Sequence, residues 1–327
     1  MSNVWNGLLC VNKEAGYTSN DVVAKLRGIL KQRKIGHTGT LDPGAVGLLV
    51  VCLGSATRVV DLLTEHSKEY LAVVQLGVTT DTQDMTGEVL ERRDCGDVTH
   101  ERLVEALQAF KGGYDQVPPM YSAVKVHGRR LYQLAREGKT VERKPRRVEI
   151  ETISIADDHL LLTDHLFTMD VKCSKGTYIR TLTHDIGERL GCGAAMGLLI
   201  RTAVGSFHVD GALTLSQIET CRDDGTLADH ILPVEELFRD LDRIEVEPAF
   251  RRQMENGNPF GTDRIAGEPL PDKEDGTADE DGFRDGERVR AYCDGEWFGI
   301  YRYSAAMKRF VVEKFFYENH CGSDGIS

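Results

Sequence analysis

The residue best placed to do chemistry in this 327-residue chain is Asp42, the one acid in KIGHTGTLDPGAVGLLVVCLGSATR, the stretch from Lys34 to Arg58. Gly36, Gly39, Gly44 and Gly47 punctuate the turn around it, where backbone without a Cβ lets a large partner approach. Pro43 steers Asp42 away from helical geometry, so the acid stands on extended backbone at the edge of a loop. A carboxylate with an ordinary pKa of about 3.9 is ionised at neutral pH. It suits nucleophilic attack or stabilisation of a developing positive charge. Taken alone, an Asp-Pro pair is also the signature of an ordinary turn with a capping aspartate.

Such a loop needs rigid neighbours. GLLVVCLG, from Gly47 to Gly54, reads as a fully buried strand. Gly7 to Lys13 is strand-like and leads into a helix from about Ser19 to Lys31. Thr18 or Ser19 is its N-cap, and Val22, Val23, Leu26, Ile29 and Leu30 form its apolar face. Strands are expected from Glu69 to Leu76, Arg147 to Ile155 and Leu166 to Cys173, with a helix from Glu101 to Phe110. A further helix is expected from a Thr177 cap to Gly191, with Tyr178, Leu182, Ile186 and Leu190 on one face. Arg180 in its first turn stands at the wrong end for a cation, since a helix N-terminus carries partial positive charge. A carboxylate partner would resolve that conflict, and a broken local rule of this kind marks a functional site. Strands and helices do not alternate regularly. This favours an α+β fold with a mixed, largely antiparallel sheet flanked by helices over a doubly wound parallel sheet.

The Asp42 stretch resembles the catalytic motif of the TruB family of tRNA pseudouridine synthases. GLLCVNKEAGYTSNDVV (Gly7 to Val23), KEYLAVVQLGVTTDTQDMTG (Lys68 to Gly87), QVPPMYSAVKVHGRRLYQLAREG (Gln116 to Gly138), CSKGTYIRTLTHDIGERLG (Cys173 to Gly191) and LIRTAVGSF (Leu199 to Phe207) also resemble family blocks, in family order. The resemblance implies the pseudouridine synthase fold and isomerisation of uridine to pseudouridine in the T-loop of tRNA, position 55, by base flipping and without metal or organic cofactor. It implies Asp42 as the essential acid, Arg180 as the cation that holds it, and Tyr70 as a residue stacking on the target base. Substrate contacts are implied at His37, Lys125, Tyr178, Leu199 and Arg201. His37 helps to displace and replace the flipped nucleotide, and Asp84 joins an ion-pair network beside the site. The strand-like pieces after about Asp240, ERVRAYC, EWFGIYRY and KRFVVEKFFYE, together with NGNP (Asn256 to Pro259), resemble a PUA-like domain. The expected organisation is a catalytic domain over 1–240 with a basic RNA-binding insertion near 125–147, a PUA-like domain over 241–318 with an acidic loop at 264–287, and a tail at 319–327.

Composition bounds the partners. The net charge of -12 opposes RNA binding, because phosphate neutralisation by Lys and Arg supplies most nonspecific affinity. Local distribution reverses this between Lys125 and Arg147, where Lys125, Arg129, Arg130, Arg136, Lys139, Arg143, Lys144, Arg146 and Arg147 face only Glu137 and Glu142. That segment is the expected RNA-facing patch, and the acid-rich run from Glu268 to Glu287 reads as a solvated loop. Eight scattered cysteines without a CxxC pair read as free thiols, and no zinc site is expected. His37 lacks a second ligand at metal-binding spacing, and DTQDMTGE lacks the full ligand pattern of a calcium loop. No apolar run approaches the roughly 18 residues of a membrane span. The N-terminus shows no secretory signal, so a cytoplasmic protein without a membrane contact is expected. Three other readings compete: a guide-RNA-dependent synthase subunit of the dyskerin type, a noncatalytic tRNA chaperone, and a phosphate-binding metabolic enzyme. The last lacks GxxxxGK[ST] and GxGxxG. The basic insertion argues for RNA capture with no obligate protein partner.

Overall fold

The computed structural model describes residues 5–96, 98–126, 128–266 and 282–317. The acidic loop from 267 to 281, the tail, His127 and Cys321 lie outside the described residues. The chain divides into two compact units. One holds Leu9–Cys52 and Val59–His230; the other holds 5–8, Leu53–Arg58 and the described residues from 231 to 317. The principal strands are β1 (Gly7–Lys13), β2 (Val46–Leu53), β3 (Lys68–Leu76), β4 (Gly112–Gln116), β5 (Arg146–Asp157), β6 (Leu166–Cys173) and β7 (Ala194–Val204), and the helices are α1 (Ser19–Leu30), α2 (His100–Gln108) and α3 (Ile179–Leu190). They form the mixed, largely antiparallel sheet expected, in the order β1-β2-β7-β3-β6-β5-β4. The β2-β7 pair is parallel, and the pairs from β7 through β4 are antiparallel.

Local chemistry explains the elements that carry the site. Thr18 Oγ1 accepts from the Asp21 backbone N–H at 3.1 Å while Asp21 accepts from the Thr18 N–H at 2.8 Å, a reciprocal capping box that starts α1. Leu48, Leu49, Val50, Val51, Cys52 and Leu53 are all fully buried, as the unbroken apolar run of β2 requires. Burying each Leu or Val contributes about 1.5–3 kcal/mol. Helix α3 starts later than Thr177: Tyr178 occupies the cap position and makes no side-chain cap bond. Thr177 cannot cap because its hydroxyl turns back to donate to Ser174 O at 2.9 Å. Ile179, Leu182, Ile186 and Leu190 form the buried face, while Tyr178 lies half-buried ahead of the helix. At the far edge, Gln116 of β4 stands directly opposite Arg146 of β5. The basic stretch therefore leaves the sheet and returns to it at one rung, with Lys125, Arg129, Arg130 and Arg136 exposed along the excursion and Leu131 and Leu134 buried.

The second unit is β-rich, as expected of a PUA-like fold. Its longer strands are β8 (Asp242–Val246), β9 (Arg288–Cys293), β10 (Glu296–Ser304) and β11 (Arg309–Phe315), in the order β11-β10-β9-β8. The core is aromatic: Phe260 stacks on Phe310 at 5.3 Å, and Phe310 packs on Tyr303 at 5.1 Å and edge-on to Phe283 at 4.8 Å. The seven described cysteines are free. Among the described residues no helix is long and apolar enough to cross a membrane.

Charge burial in the first unit has one sign. Lys13, Lys68, Arg180 and Arg201 are the buried charged residues among those described, and all are cations. The Lys68 ammonium is held by carbonyls, donating to Thr64 O at 2.6 Å and His66 O at 2.5 Å. Burial, reinforced by the Arg201 charge, pushes its pKa down to about 8 from the ordinary 10.5.

Two outcomes follow from this packing. Gly47, at φ +98°, leaves no room for a side chain, because a Cβ would lie 2.4 Å from Arg201 O. Gly47→Ala is therefore expected to destabilise the protein by about 2–4 kcal/mol in denaturant unfolding. For Lys68, the unfolded chain keeps the proton between pH 8 and 10.5 while the folded chain loses it. Stability relative to Lys68→Met therefore rises with pH across that window, and urea titrations at pH 8 and 10 measure the difference.

Candidate functional site

The loop that carries Asp42 is fastened on both sides of the acid. Lys13, at the end of β1, donates to Pro43 O at 3.2 Å and Ala45 O at 2.6 Å. Gly16 N donates to Pro43 O at 2.9 Å. Ser19, the first residue of α1, accepts from Leu41 N at 2.9 Å and donates to Leu41 O at 3.4 Å. Neighbours on either side are thus fixed to main chain, while the Asp42 side chain remains 46% exposed. The result is a carboxylate on a rigid mount that is open to a ligand.

Arg180 organises the acids. Its Nη2 lies 3.0 Å from Asp42 Oδ2 and its Nη1 3.5 Å from Asp84 Oδ2, while the same guanidinium donates to Thr82 O at 3.3 Å and Tyr121 O at 3.1 Å. The guanidinium finds carboxylates, which answers the conflict of a cation in the first turn of a helix. Asp84 is locked by Thr82 Oγ1 at 2.8 Å, Thr86 N at 3.0 Å and Thr86 Oγ1 at 2.5 Å. The two pairs differ in kind. Asp84 and Arg180 are both largely buried, and removing one partner of such a pair costs about 3–5 kcal/mol. The half-exposed Asp42 pair is screened by water and contributes about 1 kcal/mol or less to stability. Asp84 anchors the guanidinium, and the guanidinium orients Asp42.

The other expected residues divide into those the fold brings to this centre and those it does not. Tyr70, in β3, is buried and stands directly opposite Arg201 of β7. Burial pushes its phenol above the ordinary value, against the opposing pull of Arg201. Leu199 lies in the same buried apolar cluster as Tyr70, Leu41 and Ile179. Tyr178 is fixed by Gln116, whose side chain accepts from Tyr178 N at 2.8 Å and donates to Tyr178 O at 3.0 Å. His37 is half-buried, with Nδ1 buried and unpartnered. Burial and then the Arg201 charge push its pKa down, which favours neutral imidazole. Lys125 stands apart and exposed, on a two-stranded ribbon with Arg129–Arg130.

Arg201 departs from expectation. It is 1% exposed, and its guanidinium is committed to main chain, through Nε to Leu48 O at 2.7 Å and Nη2 to Gly39 O at 3.2 Å. Its side chain is thus engaged with the main chain on both sides of the Asp42 turn. The sequence reading also missed Lys13 and Gln116. Lys13 carried one usable signal, a charge closing the apolar strand GLLCVNK; Gln116 carried none, because its partner is 62 residues away.

Comparison with known proteins gives the chain its relatives. Residues 27–179 match the N-terminal domain of the TruB family pseudouridylate synthases, and residues 180–239 match the tRNA pseudouridylate synthase B C-terminal domain. The chain is 46% identical over 316 residues to the tRNA pseudouridine synthase B of Lachnoclostridium phytofermentans, covering 95% of this chain and 99% of that protein. It is 43% identical over 256 residues to the tRNA pseudouridine synthase B of Bacillus subtilis, covering 77% and 82%. Among solved structures it superposes with a TM-score of 0.68 and 27% identity on a chain from the crystal structure of a Cbf5-Nop10-Gar1 complex, over 96% of this chain and 86% of that one. A chain from an H/ACA RNP bound to a substrate RNA containing 2'-deoxyuridine, 24% identical with a TM-score of 0.67 over 97% of this chain and 87% of that one, has the same fold. With identities of this size over nearly the whole length, the chain belongs to the TruB family of pseudouridine synthases.

Proposed function

We propose that this protein converts a uridine in the T-arm of tRNA, at position 55, to pseudouridine, and that Asp42 is the residue acting on the flipped nucleotide. The observation that carries the reading is the half-exposed Asp42 carboxylate, oriented at 3.0 Å by an Arg180 that a second, locked acid anchors. In the reaction the N1 glycosidic bond breaks, the uracil turns, and C5 bonds to the same sugar carbon. Electrons are redistributed within the nucleotide, so the isomerisation calls for no redox partner. An ionised carboxylate serves it by attack or by stabilising positive charge on the sugar. Arg180 holds that carboxylate in place through the 3.0 Å contact. Tyr70 and Leu199 give the flipped base an apolar floor, Tyr178 lines it, and His37 fills the gap left in the RNA, offsetting part of a flipping cost of a few kcal/mol.

Lys125 and the basic excursion that follows it supply RNA capture. Glu137 pairs with Arg129 and with Lys139, which leaves Arg130, Arg136 and Lys144 as the stronger phosphate candidates. The tRNA pseudouridine synthase B relatives support a tRNA substrate. This capture surface favours a synthase that works without a guide RNA or an obligate protein partner, in the cytoplasm with its tRNA.

Tritium release from 5-tritiated uridine in a T-arm stem-loop tests the assignment. Asp42→Asn is expected to lower the rate by at least about a thousandfold with binding retained; full activity in that variant would sink the proposal. Arg130→Ala combined with Lys144→Ala is expected to weaken binding and to flatten the log affinity against log salt plot by about one to two units. An unchanged slope would remove the basic excursion from the interface.

A further inference from the structure

Arg201 combines full burial with an absence of opposite charge. Among the described residues no carboxylate lies within ion-pairing distance of it, and its guanidinium donates to the carbonyls of Leu48 and Gly39. Its charged surroundings add to the difficulty. Lys13 and Lys68 are buried cations whose pKa values it pushes down, and His37 is held towards neutrality by the same charge. An uncompensated ion in a protein interior costs several kcal/mol. A phosphate-binding arginine has no need of such a place, and from 1% exposure it does not reach a phosphate.

The sheet register shows what the residue touches. Arg201 is the direct antiparallel partner of Tyr70, so the two side chains project side by side from one face, and the Arg201 charge opposes the rise that burial imposes on the Tyr70 phenol. On its other side Arg201 is the parallel partner of Gly47, whose missing side chain lets the two backbones meet. One residue therefore joins Gly39 before the acid and Leu48 after it through its guanidinium, and the tyrosine strand through its backbone. A planar cation with several fixed donors makes these bonds together; a lysine ammonium is a single point. The titratable groups facing Tyr70 and Arg201 are Asp42, Cys173, Lys13, His37 and Lys68.

We infer that Arg201 is a positioning residue that sets the Asp42 loop and the Tyr70 side chain in register with each other, and that it makes no contact with RNA. This rests on the proposed reading of Asp42 and Tyr70 as the site. Activity in Asp42→Asn would overturn that reading whatever Arg201 does, whereas the experiments below overturn the Arg201 assignment alone.

The test is a double-mutant cycle in the full chain with Arg201→Lys, Tyr70→Phe and the pair, reading kcat and T-arm affinity against salt. Arg201→Lys is expected to lower kcat about tenfold or more, with affinity within about threefold and an unchanged salt slope. The pair is expected to fall within about threefold of Tyr70→Phe alone, because the lysine acts through the placement of a phenol that phenylalanine lacks. Weakened binding with a slope shallower by about one unit, or losses that multiply in the pair, would overturn the assignment. A measurement on the unsubstituted protein decides the matter even if the lysine variant does not fold. The Arg201 Nε–H resonance is expected to be protected from solvent exchange both free and with the T-arm. Protection that arises only on adding the T-arm would make it an RNA contact.

Discussion

The structure turns on one asymmetric fork. Arg180 holds two carboxylates of opposite character: Asp84, locked by its own turn, and Asp42, held through its backbone but open at its side chain. Because the guanidinium is fixed by the first, its geometry towards the second is set by the protein and not by solvent. Each supporting bond has a source distant in sequence. Thr82 and Tyr121 accept from Arg180, Gln116 holds the backbone two residues before it, and Lys13 and Ser19 fasten the loop opposite. The sheet order is what brings these strands together, with β2, β7 and β3 as consecutive neighbours.

Electrostatics in this chain are layered. The whole molecule is acidic, yet the charge buried in its first unit is cationic and the excursion from Lys125 onwards is basic at the surface. Interior cations act at short range in a medium that screens them poorly. The distributed acids are screened beyond about 10 Å at ordinary ionic strength. A polyanion arriving at the basic excursion therefore meets a local field of the opposite sign to the net charge. Net charge describes solubility and encounter, not the site.

What was legible in the sequence followed the range of the interaction. The capping box of α1 closes over three residues, the buried run of β2 is contiguous, and the alternation of β3 and β6 is local, so all were readable in one dimension. Glycine spacing singled out Asp42 and a cation in the wrong helical turn singled out Arg180, while the resemblance to the family is what implied their roles. The framework was not. Arg201 looked like a surface contact because its partners, Gly39 and Leu48, lie 162 and 153 residues away. Thr177 is the exception to range: its hydroxyl had two local uses, a cap or a bond to Ser174 O three residues back, and the chain took the second. Periodicity shows which face of an element is apolar; it does not show which distant carbonyl waits for a buried charge.

The rung that pairs Gln116 with Arg146 bears on how this protein can vary. Both ends of the basic excursion are clamped at opposing points of one ladder, so extra length in its exposed part costs the sheet little more than loop closure, about 0.6 kcal/mol for each doubling. The excursion is in this sense a cartridge. Its exposed basic side chains, Lys125, Arg129, Arg130 and Arg136, are free to be exchanged for another nucleic-acid grip while Tyr121 goes on accepting from Arg180 and Gln116, standing at the socket, goes on holding Tyr178 and the helix that begins after it.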